Sequence, residues 1–109
     1  MPVLYLSAPI GRTQQGTSGF FRTFQTIVAN GIGPDYAIYS SIVSQIHSGL
    51  KVVVFDRDQQ LRAEGTLATY GAKRKAGNGV RRFDLQIDNL HHVPYMSPPA
   101  VNHCGVALV

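Results

Sequence analysis

One cysteine, Cys104, stands in 109 residues, which excludes an intramolecular disulfide. No CxxC or HxxxH spacing occurs, so the local pattern of a zinc site is missing. No Gly-Lys-Ser/Thr follows the glycines near the N-terminus, and with it goes the lysine that a P-loop places on phosphates. No apolar run approaches the ~20 residues of a membrane-spanning helix, and the N-terminus pairs no basic region with an apolar core as a signal peptide does. Charge is scarce: 15% of residues are charged and 44% are apolar, which excludes a disordered segment or a long solvated helix. The expectation is one soluble, cytoplasmic domain over residues 1–109, with no membrane partner. A chain of this length buries roughly two thirds of the surface its unfolded form exposes, enough for a core.

The six acids offer no paired-carboxylate chemistry. Asp56 and Asp58 fall in a turn, while Asp84 and Asp88 lie on the outward face of one strand, about 13 Å apart. Paired carboxylates act at roughly 5 to 9.5 Å. No local motif sets a histidine beside a nucleophile; Cys104 next to His103 is the one adjacency. His91 and His92, like His103 and Cys104, are neighbours along extended chain and point to opposite faces, so they do not converge on one ion. No catalytic residue, metal site or cofactor is assigned.

What the chain does have is a concentration of positive charge. Residues 73–82 read KRKAGNGVRR and hold half of the ten Lys and Arg. The other five are nearly balanced by the six acids, so the net charge of +4 is a local field, suited to an anionic partner. Around this run the pattern is that of two strands. Leu61, Ala63, Gly65 and Leu67 alternate with Arg62, Glu64 and Thr66; Phe83, Leu85 and Ile87 alternate with Arg82, Asp84, Gln86 and Asp88. Gly77-Asn78-Gly79 supplies the positive φ angles of a tight reversal, so the run sits at a hairpin tip, with like charges as cross-strand neighbours.

The rest of the chain completes an α+β domain. Residues 2–7 read as a buried first strand, followed by a polar connection, Ala8–Gly19, long enough to carry function. Phe20, Phe21, Phe24, Ile27 and Val28 predict a helix over 18–30, capped by Thr17 or Ser18 and closed by Asn30-Gly31. Tyr39, Ile42, Val43 and Ile46 predict a second helix, capped by Asp35 and stopped at Gly49. LKVVVF, from Leu50, has the continuous apolar run of a strand buried on both faces, with a turn over Asp56–Gln59. Gly65 marks a bulge or bend. Val93-Pro94 and Ser97-Pro98-Pro99 interrupt the tail, whose final CGVALV docks on the sheet or meets a second subunit, making a homo-oligomer through the C-terminal strand one expectation. The architecture expected is a strongly curved mixed sheet, or small open barrel, of five or six strands with two flanking helices.

The order of strand, polar loop, two helices and a meander beginning SGLKVVVFDRDQQLRAEGTL resembles the PUA-like superfamily, in particular its EVE and ASCH-type members. VLYLSAP is similar to the first strand and turn of EVE domains, and FDLQIDNLHHV looks like a later barrel strand. The likeness runs from Val3 to about Val93. It implies a curled, partly closed sheet and binding of RNA, or of DNA carrying an altered base.

Two sets of candidate residues follow. Lys73, Arg74, Lys75, Arg81 and Arg82 would contact phosphates, with Tyr70 offering a ring on which a base stacks. Ser7, Arg12, Thr13 and Gln14 would line a pocket after the first strand, with donors and acceptors suited to a base edge. Together they make a non-enzymatic nucleic-acid-binding module. The alternatives are a basic tip that is simply solvated, on a domain that binds a small ligand or another protein, and an enzyme whose pocket residue is not identified.

Overall fold

A computed structural model of the chain describes residues 1–8, 23–77 and 79–109, with side chains described outside 72–78. The described residues form β1 (Val3–Ser7), α1 (Phe24–Asn30), β2 (Ile32–Tyr39), α2 (Ser40–Val43), β3 (Lys51–Asp56), β4 (Leu61–Gly77), β5 (Val80–Val93) and β6 (Val106–Leu108). The strands make one mixed sheet in the order β2-β5-β4-β3-β1-β6. Only β1 and β3 run parallel; the other neighbours are antiparallel. With its two short helices this is the α+β curved sheet expected from the sequence, curled into a half-barrel.

Bulges account for the curl. From Leu67 to Thr69, Ala72 to Arg74 and Lys75 to Gly77, β4 takes two steps where β5 takes one. Between Glu64 and Thr66 the imbalance reverses, because β5 takes three steps from His91 to Asp88. Each extra residue bends its strand and increases the twist. The bend brings the sheet's far edges toward each other: Tyr36 of β2 donates its hydroxyl to the Ser7 carbonyl of β1 at 2.8 Å, and the rings of Tyr39 and His103 meet edge to face at 5.7 Å.

The concave face holds the core. Leu4, Leu6, Phe24, Ile27, Tyr36, Ile38, Val52, Val54, Leu67 and Leu85 are fully or almost fully buried there. Burying a side chain of this size stabilises by about 1.5–3 kcal/mol. Val53 and Phe55, on the opposite face by alternation, are just as buried, so β3 is covered on both sides as its unbroken apolar run predicts. On that outer side two arginines tie the proline-rich tail to the sheet. Arg62 and Arg57 donate to the carbonyls of Met96 and Pro99, Pro98 is buried, and the two guanidinium groups lie over the rings of Tyr5 and Phe55. The chain then turns at Asn102, whose side chain accepts from the amides of Cys104 and Val106. β6 pairs with β1 of the same chain.

Among the described residues the helical layer is smaller than the sequence suggests. Thr23 is extended (φ −96°, ψ 156°) and accepts at its hydroxyl from the Thr26 amide, so α1 starts at Phe24 and Thr23 takes the capping role expected of Thr17 or Ser18. Gly31, at φ 67°, closes it in the left-handed turn expected. The second helix is a correction. Residues 32–39 are a strand paired with β5, and only Ser40–Val43 is helical. Asp35 caps no helix; it sits at φ 53° in the bulge between Gly33 and Tyr36. Tyr36 and Ile38, two apart, fill the core, and this period-2 burial against β5 overrides the 3.6-residue pattern of Tyr39, Ile42 and Val43. Residues 9–19 of the polar connection and residues 20–22 lie outside the described residues.

Candidate functional site

The basic run is the tip of the β4–β5 hairpin. Gly77 pairs with Val80, and Gly79 at φ 67° takes the conformation that only a residue without Cβ enters at no steric cost. In the ladder Arg74 stands opposite Arg82 and Lys75 opposite Arg81, the like-charge juxtaposition expected. The tip is braced on its other side: Ile38 and Ala37 of β2 pair with Arg81 and Arg82, and the Ser40 amide donates to the Gly79 carbonyl.

The cations are not equivalent. Arg81 is exposed. Arg82 is tied to the β2 bulge: its Nη1 donates to the Asp35 carbonyl at 2.9 Å and lies 3.6 Å from Asp35 Oδ2, while the Asp35 amide donates to Asp84. Expected as a free phosphate contact, Arg82 instead has its charge offset by a carboxylate from elsewhere in the fold. The side chains of Lys73, Arg74 and Lys75 lie outside the described residues. Tyr70 packs edge to face on Phe83 at 6.0 Å and donates its hydroxyl to the Ile46 carbonyl; at 36% exposure it keeps part of its ring open.

Of the pocket expected after the first strand, only Ser7 is described. Its amide donates to the Gly105 carbonyl and its own carbonyl accepts from Tyr36, so its backbone belongs to the seam between the sheet's edges. Arg12, Thr13 and Gln14 lie outside the described residues. The histidines separate as their spacing implies: His92 packs on Phe24, His103 on Tyr39, and His91 lies on the other face from His92. No group of three metal-ligating side chains occurs among the described residues, and no helix among them is long and apolar enough to cross a membrane.

A depression of about 280 Å³ opens elsewhere, at the β5 bulge. It is lined by Gly49, Lys51, Glu64, Gly65, Thr66, Asn89 and His91. The register explains the convergence: Lys51 is opposite Thr66, and Glu64 opposite His91. Asn89 carries the extra residue's turn at φ 56°, an uncommon conformation outside glycine. Glu64 holds Lys51 at 3.2 Å and Arg62 at 3.1 Å. Partial burial works against its ionisation, but hydrogen bonds from Arg62 and Lys51 and their positive charge hold its carboxyl below the usual value. Sequence reasoning missed this site, since its residues come from three strands; Gly65, within an alternating strand pattern, was the visible signal of the bulge. Ten residues of β4 separate Glu64 from Arg74, about 30 Å of strand, so this depression is not beside the basic tip.

No protein-family model, curated protein or solved structure matches the chain.

Proposed function

We propose that the protein is a non-enzymatic nucleic-acid-binding module, PUA-like in its curled sheet, that holds backbone phosphates along the tip of the β4–β5 hairpin. The observation behind this reading is the ladder register that sets Lys75 against Arg81, and Arg74 against an Arg82 that Asp35 already holds. Like charges directly opposite in a sheet destabilise the pair, and a polyanion turns that repulsion into affinity, since each neutralised phosphate releases counterions. Lys73, Arg74, Lys75 and Arg81 supply the contacts; Arg82, held by Asp35, supplies the brace. Tyr70 stands at the base of the same arm, and its partly exposed ring is offered for stacking by a base.

Fluorescence anisotropy with labelled RNA and DNA tests this across a salt series. Four phosphate contacts give a log-log slope of about −3 to −4 on duplex. Arg81→Glu lowers its magnitude by about one, while Arg57→Glu, the same charge change at the β3–β4 turn, leaves it unchanged. A binding constant indifferent to salt, or equal losses from the two variants, overturns the proposal.

A further inference from the structure

Independently of the hairpin, we infer that the depression at the β5 bulge is a binding site for a phosphate-sized oxyanion. The surrounding charge is the first reason. Glu64, the carboxylate of the lining, is shared between Lys51 and the buried Arg62, so its negative charge is offset from two sides. Asp88, opposite Thr66 in the ladder, is exposed and does not line the depression. The Lys51 side chain is half exposed, and an ammonium engaged with one carboxylate oxygen keeps further N–H donors for a ligand.

Donor geometry is the second. His91 Nδ1 lies 2.6 Å from the Asn89 carbonyl, and a carbonyl only accepts, so Nδ1 carries the proton. The ring is thereby held in one tautomer, with Nε2 left for the ligand: it accepts from a protonated oxyanion, or donates when the ring is charged. Thr66 and Asn89, lining residues from different strands, carry a hydroxyl and an amide, both side-chain donors. Lysine, imidazole, hydroxyl and amide around one bowl satisfy an ion with three or more oxygens better than a planar carboxylate.

The shape is the third. Gly49, at φ 94° with open space where a Cβ would stand, leaves the approach clear. At about 280 Å³ the space is at or below the lower limit of drug-sized pockets, which suits a single phosphate group rather than a whole nucleotide.

Titration of the intact ¹⁵N-labelled chain with inorganic phosphate, against sodium chloride at matched ionic strength, tests the inference. Saturable amide shifts confined to Thr66, Asn89, His91 and their neighbours are expected, with Kd in the millimolar range. Lys51→Met and, separately, His91→Gln each weaken binding about tenfold, the effect of losing one hydrogen bond to a charged group, while Arg81→Glu leaves it unchanged. That last variant separates this site from the hairpin, so either reading can fail alone. Glycerol phosphate displacing inorganic phosphate at these residues assigns the site to phosphomonoesters; a 5′-phosphorylated oligonucleotide doing so assigns it to a nucleic-acid end. Shifts that chloride reproduces, or a Kd unmoved by both Lys51→Met and His91→Gln, overturn it.

Discussion

Replacing Gly65 by alanine tests the bulge on which both the curl of the sheet and the outer depression depend. The added methyl carbon would stand 2.7 Å from the Asp88 carbonyl oxygen, 2.7 Å from Ile87 Cγ2 and 3.1 Å from Leu90 Cα. Nonbonded atoms settle at roughly 3.5–4.0 Å, so each contact is short by up to about 1 Å. Two of the three neighbours are β5 backbone, and relief therefore requires β5 to move off β4 rather than a side chain to turn. Overpacking of this kind costs about 1–3 kcal/mol. Gly65 does not have positive φ, so alanine also narrows the unfolded ensemble, a gain of about 0.4–1 kcal/mol. The net is a loss of about 1–2 kcal/mol. Gly71, on the same strand, provides the control: its φ is not positive and a Cβ there meets nothing within 4 Å, so Gly71→Ala stabilises by about 0.4–1 kcal/mol. Urea denaturation should separate the two variants by about 2 kcal/mol, and thermal melts by about 8 °C. Equal stability of the two variants, or a Gly65→Ala chain more stable than the parent, refutes the close packing of the bulge.

Two other perturbations probe the seam and the ion cluster. Tyr36→Phe deletes the hydroxyl that joins β2 to the Ser7 carbonyl from a fully buried ring; a loss of about 1–2 kcal/mol in urea denaturation is expected, and an unchanged midpoint would show that the edges are not joined there. Glu64→Gln removes the carboxylate shared by Lys51 and Arg62. Because the folded carboxyl titrates below its unfolded value of 4.5, its stabilising contribution is present above that pH and is lost as pH falls through the folded value. The stability gap between parent and variant should therefore be open at neutral pH and close in acid; a gap that widens in acid contradicts the ion-pair assignment.

Local pattern carried much of the architecture. The alternation of Phe83, Leu85 and Ile87, the apolar run of β3, the turn after Asp56 and the tight reversal at Gly79 all concern residues that meet within one hairpin or one strand, where period and turn chemistry decide. Residues 32–46 show the opposite case. Tyr39, Ile42 and Val43 fit a helix, yet Tyr36 and Ile38 also fit a strand, and pairing with β5, more than 40 residues away in sequence, selects the strand. The basic tip was visible as composition. That Arg82 is bound to Asp35 was not, because a bulge at residues 34 and 35 creates that contact.

By itself, then, the sequence determined the elements whose hydrogen bonds close locally: the β3–β4 and β4–β5 hairpins, the left-handed stop at Gly31, and the gathering of five cations within ten residues. Tertiary structure alone decided that β2 is a strand, that Arg57 and Arg62 hold the proline-rich tail, and that Lys51, Glu64 and His91 share one depression. Each of those outcomes depends on register between segments distant along the chain, and register is set by which faces can be buried together, a property of the assembled sheet.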